Sequence, residues 1–313
     1  MRKIVIVCGP TASGKTAVGV ELARRFRGEI VSADSQQVWR GFDIGTAKPS
    51  ASEREAVPHH LIDCADPGER FDAARFVELA DEAIAGIAAR GRVPLVVGGT
   101  GMYIRMLIHG FCDAPPRDDD LRAELEKEMA AMGPAALHAR LAGFDPASAI
   151  AISQNDRTRI VRAIEIYELT GTRPSELRGE HDFSEKRYDA LEIGLMPDRE
   201  ELYRGIEARV DRMIAGGLAD EARRLLGMCG RDAQPFAAVG YREMASHLRG
   251  EIGLEEAARL IKRNSRRLAK RQLTWFRADP EIRWMDPADP AGIEQLVHAF
   301  IHPQPEPQPQ PSV

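Results

Sequence analysis

The feature that most restricts this chain lies near its N-terminus. Ile4-Val5-Ile6-Val7-Cys8 is a continuous apolar run that opens directly onto Gly9-Pro10. A run without polar alternation reads as a strand buried on both faces, as in a parallel sheet covered by helices. The next eight positions, Gly9-Pro10-Thr11-Ala12-Ser13-Gly14-Lys15-Thr16, match GxxxxGK(S/T) in full. From Thr16 to Phe26, apolar residues at Ala17, Val20, Leu22, Ala23 and Phe26 trace one helical face, ended by Gly28. Glycines let backbone N–H groups curl around an anion, and the helix N-terminus adds partial positive charge. Lys15 can reach an outer phosphate and the Thr16 hydroxyl can hold Mg²⁺. Gly9 to Thr16 are therefore expected to bind a phosphorylated ligand.

The pattern continues through the first part of the chain. Strands are predicted at Glu29 to Ala33 and Val93 to Val97, with a helix from about Asp72 to Arg90 between them. Strand, helix, strand, helix, strand implies parallel pairing with right-handed crossovers, hence a doubly wound α/β sheet of the P-loop NTPase-like type. Ala114-Pro115-Pro116-Arg117-Asp118-Asp119-Asp120 is a polar break, after which helical patterns dominate until Ala190 to Leu195. Residues 118–190 read as a helical insertion in an α/β core made of 1–117 and 191–300. The proline-rich residues 302–313 read as a disordered tail.

Charge and cysteine content narrow the function class. The 313-residue chain carries 43 Lys plus Arg against 48 Asp plus Glu, a net charge of -5. A uniformly basic protein is excluded; a local basic face is not. Cys8, Cys64, Cys112 and Cys229 form no CxxC pair, which argues against a zinc knuckle and a disulfide framework and fits a reducing cytoplasm. No stretch approaches the ~20 apolar residues of a membrane helix. A monomeric cytoplasmic protein is expected. His59 and His60 lack further ligands at metal spacing and read as structural.

Two observations bear on the reaction. The apolar run Pro94-Leu95-Val96-Val97 ends in Gly98-Gly99-Thr100-Gly101 and carries no acid, so the apparatus of a hydrolytic motor is missing and a transferase fits better. Asp34 stands at the carboxyl end of the second strand, where open α/β sheets bind ligands. It reads equally as a base and as a turn cap.

Several long motifs resemble those of the tRNA dimethylallyltransferases, or tRNA isopentenyltransferases, of bacterial type. They are the GPTASGKT loop, Asp34 to Pro49 (DSQQVWRGFDIGTAKP), His59-His60-Leu61-Ile62-Asp63 and Gly98 to Ile104 (GGTGMYI). Arg159 to Glu165 (RIVRAIE), Val239-Gly240-Tyr241-Arg242 and Lys270 to Arg277 (KRQLTWFR) follow. Trp39, Met102 and Thr158 depart from the family's usual Tyr, Leu and Gln. The resemblance implies transfer of a dimethylallyl group from dimethylallyl diphosphate to the N6 amine of the adenosine 3′ of the anticodon, with Mg²⁺. It implies Asp34 as general base, Thr100 at the reacting centre, and Thr11 to Thr16 on the diphosphate, with Lys15 stabilising the charge that leaves. The tRNA path would include Asp34, Ser35, Gln36, Gln37, Thr100, Arg122, Thr158, Arg159, Ile160, Val161, Arg162, Ala237, Ala238, Val239, Gly240, Tyr241, Arg242, Lys270, Arg271 and Arg277.

The chemistry is coherent with those residues. An exocyclic adenine amine becomes acidic as its C–N bond forms, and a carboxylate that orients and deprotonates it is worth roughly 10²–10⁴-fold. The departing diphosphate needs fixed positive charge. The target base must leave its stack to reach such a site, and Trp39, Tyr103 and Tyr241 are candidate stacking partners or else core residues. Arg259, Arg263, Arg266 and Lys270 repeat on one helical face with no acid between 259 and 277, which points to phosphate contacts. A nucleoside or small-molecule kinase and a non-catalytic RNA-binding protein are the alternative readings.

Overall fold

The computed structural model describes residues 1–112, 114–180 and 185–303. Its strands are β1 (Lys3–Cys8), β2 (Gly28–Ser32), β3 (His59–His60), β4 (Val93–Gly98), β5 (Asp189–Leu195) and β6 (Arg283–Met285). In the first half of the chain the helices are α1 (Lys15–Arg25), α2 (Ala51–Ala56), α3 (Ala73–Ala89) and α4 (Gly101–His109). The middle holds α5 (Asp119–Met132), α6 (Pro134–Phe144), α7 (Pro146–Ala151), α8 (Arg157–Thr170) and α9 (Pro174–Glu180). Then come α10 (Arg199–Ala215), α11 (Leu218–Cys229), α12 (Tyr241–Leu248), α13 (Leu254–Arg277) and α14 (Pro290–Ile301).

The strands form one sheet in the order β3-β2-β4-β1-β5-β6, and every neighbouring pair is parallel. The α/β class and the buried central strands agree with the sequence reading. β3 and β6 were not anticipated. They are edge strands of two and three residues, too short to leave a periodic signature, and they exist because Ile30 and Ile193 offer backbone partners to His59 and Arg283.

Alternation along β1 explains why both faces of the sheet are apolar. Ile4, Ile6 and Cys8 enter one core with Val96, Phe76, Ala80 and Ile84 of α3, and Val210 and Met213 of α10. Val5 and Val7 enter the other, against Val20, Leu22 and Ala23 of α1 and Ile293 and Val297 of α14. A strand with water on neither side has no place for a polar residue, hence the unbroken run.

The chain divides into two compact units, one of residues up to Ile108 together with those from Arg187 onward, the other His109–Lys186. Position 190, the sequence-based end of the insertion, falls inside β5 instead. The helical unit has its own core of Leu125, Met129, Leu137, Leu141, Ile160 and Ile164. The predicted tail beyond residue 303 lies outside the described residues. No helix among the described residues is long and apolar enough to cross a membrane.

Candidate active site

Three adjacent strands deliver the candidate residues to one edge of the sheet. β4 lies between β1 and β2, and its register pairs Gly98 with Cys8 on one side and Val97 with Ser32 on the other. The chain segments that follow, Gly9–Thr16, Asp34–Gln37 and Gly99–Gly101, are therefore neighbours whatever their sequence separation. Backbone bonds fasten two of them: the Thr100 N–H donates to the Ala33 carbonyl at 3.1 Å, and the Ser35 N–H donates to Thr100 Oγ1 at 3.0 Å. Asp34 turns the chain, its Oδ1 accepting the Gln36 N–H at 2.8 Å.

The Gly9–Thr16 loop turns into α1 through Gly14, at φ 86°, a conformation that favours glycine. Lys15 Nζ donates to the Pro10 carbonyl at 2.6 Å. Desolvation, reinforced by Arg209 and opposed by Asp34, pulls the Lys15 amine down to about 8. Lys15, Thr16, Asp34, Gln37 and His59 line one cavity with the apolar side chains Ile30, Pro49 and Val97.

Arg209 was missed by sequence reasoning. It lies on α10, where Leu202, Ile206, Val210 and Met213 face inward. Its guanidinium donates to the Thr46 carbonyl at 3.2 Å; burial lowers its pKa and Asp34 works against that. The site thus has two cations and one carboxylate within mutual electrostatic reach. No local spacing marks Arg209, because the partners that give it meaning come from β2 and the loop after it.

The Phe42–Pro49 segment is held from below by a single carboxylate. Glu221 of α11, itself buried, accepts the Ile44 N–H at 3.0 Å, the Asp43 N–H at 3.1 Å, the Gly45 N–H at 3.2 Å and the Tyr241 hydroxyl at 2.6 Å. Burial and then Glu221 push the Tyr241 phenol well above its usual range. Lys48 anchors the far end of the segment, bonded to Asp43, Asp63 and the Trp39 carbonyl. His60 Nε2 meets Glu29 Oε2 at 2.7 Å, and among the described residues no cluster of His, Cys, Asp and Glu could hold a metal. All four cysteines are free, and burial raises the Cys8 thiol.

The residues expected on the RNA path differ in burial and in their partners. Trp39, Tyr103 and Tyr241 are core side chains, Tyr103 stacked on Phe76, so none is placed to stack on a base. Ile160 and Val161 belong to the helical unit's core, and Thr158 and Arg159 are exposed at the start of α8. Arg122 and Arg162 both bind the buried Glu165 of that unit, at 2.5 and 2.8 Å. Burial alone would raise the Glu165 carboxyl, but the two arginines and the Asp118 N–H outweigh it and hold it below the usual range. In the sheet-bearing unit, Ala237 and Arg242 are exposed and Ala238 and Val239 half-buried, while Gly240 caps α12 by donating to Glu243 at 2.8 Å.

The basic helix α13 also departs from expectation. Its acidic partners come from outside the 259–277 segment: Arg259 pairs with Glu256, Lys262 with Asp211 and Arg266 with Glu207, the last two acids on α10. Among the described residues, the exposed cations of α13 without an ion pair are Arg267, Lys270 and Arg271, within one helical turn, and Arg277 at the helix end, near the 40% exposed Trp275.

Family models for IPP transferase and isopentenyl transferase match residues 37–279 and 2–64. A tRNA dimethylallyltransferase of Anaeromyxobacter sp. (strain K) is 54% identical over 302 residues, covering 96% of this chain and 98% of that one. The chain belongs to the tRNA dimethylallyltransferase family. A tRNA isopentenylpyrophosphate transferase of Bacillus halodurans superposes with a TM-score of 0.72 at 44% identity, over 96% of this chain and 97% of that one. A eukaryotic dimethylallyltransferase acting on tRNA gives a TM-score of 0.83 at 27% identity, over 98% and 82%. Membership makes this chain a tRNA-modifying prenyltransferase and removes the kinase and non-catalytic readings.

The Glu221 carboxylate is central to the Phe42–Pro49 segment. Glu221→Ala is expected to leave protection of the β1 amides intact while raising hydrogen exchange at Asp43, Ile44 and Gly45 at least tenfold, which residue-resolved exchange measures.

Proposed function

We propose that the enzyme transfers a dimethylallyl group from dimethylallyl diphosphate to the N6 amine of the adenosine 3′ of the tRNA anticodon, releasing diphosphate. The observation that carries this reading is the meeting of Asp34, Thr100 and Lys15 at the carboxyl ends of three neighbouring strands. The Asp34 carboxylate accepts a hydrogen bond from the N6 amine, turns its lone pair to the allylic carbon and takes the proton as the C–N bond forms. The C–O bond to diphosphate breaks at the same carbon. Thr100, its Oγ1 already accepting the Ser35 N–H, borders the acceptor.

The leaving charge is met by the loop amides, Lys15 and Arg209, preorganised before reaction begins. The apolar wall of Ile30, Pro49 and Val97 suits a five-carbon chain. Mg²⁺ fits the donor set: the Thr16 hydroxyl offers oxygen on this cavity, and this ion binds through one or two protein groups together with phosphate oxygens. Thr16 would hold it. When bound it neutralises diphosphate charge. On the RNA side, Arg267, Lys270 and Arg271 supply cations for the phosphate backbone.

Labelled dimethylallyl diphosphate, Mg²⁺ and an anticodon stem-loop test the reading. Label is expected in RNA carrying the adenosine and absent when guanosine replaces it; label in neither RNA would overturn the reading. Asp34→Asn is expected to lower the chemical step by about 10²–10⁴-fold with RNA affinity retained.

The lowered Lys15 amine sets a pH dependence. Lys15 is charged below about 8 and loses its proton above, so kcat/KM for the diphosphate substrate should fall as pH rises through that value. Arg keeps its charge throughout, so Lys15→Arg should abolish this alkaline limb even at reduced activity. A pH profile of both enzymes checks it.

A further inference from the structure

The Lys270–Arg277 segment of α13 carries outward cations and one side chain that serves the interior. Gln272 Oε1 accepts the Thr11 N–H at 2.8 Å, and its Nε2 donates to the Gly99 carbonyl at 2.9 Å. The two ends of one amide thus hold two different loops, the Gly9–Thr16 loop after β1 and the Thr100 turn after β4. The approach is close. A Cβ on Gly99 would lie 2.5 Å from Gln272 Nε2, and a Cβ on Gly101 would lie 2.2 Å from the Trp275 ring. Thr100 is therefore flanked by glycines because α13 lies against that backbone, while Ala33 and Ser35 hold it from the opposite side.

We infer that Gln272 is a positioning residue: it sets the spacing between the loop that receives the leaving diphosphate and the turn that carries Thr100 beside the acceptor. The inference rests on the prenyl-transfer reading above. In that reaction the carbon under attack lies between the leaving oxygen and the incoming nitrogen, so the separation of the two loops sets how well the reacting atoms align. A misplacement of about 1 Å costs on the order of 10²-fold. A neutral amide satisfies both partners, accepting at its oxygen and donating at its nitrogen. Glutamate would accept from Thr11 but could not donate to Gly99, and it would place negative charge beside the diphosphate.

Two variants remove the bridge from opposite sides in the full-length enzyme. Gln272→Met keeps the volume and bonds to neither loop; Gly99→Ala displaces the amide by its new methyl group. Both should lower the single-turnover rate about 10–100-fold, change the KM for stem-loop RNA by less than about threefold, and raise hydrogen exchange at the Thr11 amide. By contrast, Arg267→Glu with Lys270→Glu should raise the RNA KM. Exchange at β1 reports whether each variant is folded. A Gln272→Met enzyme with a raised RNA KM and an unchanged single-turnover rate would make Gln272 an RNA contact and overturn the proposal. So would an unchanged rate together with unchanged Thr11 exchange. Inorganic diphosphate separates this from the parent reading. If the wild-type enzyme transfers no prenyl group, that reading fails. Diphosphate affinity at least threefold weaker in both variants then still supports the bridge, and equal affinity overturns it.

Discussion

The parallel ladder of β2, β4 and β1 is the constraint on which the rest of the structure depends. Its register ends the three strands at one level, Ser32 against Val97 and Gly98 against Cys8. Each strand then releases a loop from the same edge. The loops owe their proximity to backbone hydrogen bonds in the sheet rather than to their own residues. That edge is where ligands bind in open α/β sheets. Helices α10, α11 and α13 supply what the loops lack: Arg209 a charge, Glu221 a scaffold for Phe42–Pro49, and Gln272 a tie between two loops.

Charge in this molecule is arranged by position and not by total. The chain is net negative, yet the cleft sets Lys15 and Arg209 against one carboxylate, and α13 keeps Arg267, Lys270 and Arg271 clear of ion pairs among the described residues. Lys262 and Arg266 are paired with acids of α10 and Arg259 with Glu256, which leaves a narrower cationic strip than the sequence suggests.

How much of this was legible in the sequence follows from range. The Gly9–Thr16 loop, the buried runs of β1, β2 and β4, and Asp34 at a strand end all rest on local pattern, and they stand where expected. Edge strands β3 and β6 rest on tertiary pairing and were invisible. Trp39, Tyr103 and Tyr241 looked like stacking partners because aromatic type carries no information on burial; the fold places them in the core. Arg209, Glu221 and Gln272 act on residues far away in the chain, Gln272 on one 261 positions earlier, so no spacing rule could find them. The acids of α10 that pair with α13 escaped notice for the same reason.

In the proposed reaction the acceptor amine and the leaving diphosphate are held on opposite sides of one carbon, by Asp34 and by the Gly9–Thr16 loop. A crystal structure of the enzyme with an unreactive dimethylallyl thiolodiphosphate and an anticodon stem-loop RNA tests it most directly. The unstacked adenine N6 is expected within hydrogen-bond distance of the Asp34 carboxylate, and the diphosphate on the amides of that loop beside Lys15. An adenine bound away from Asp34, or a diphosphate bound away from Lys15, would contradict it.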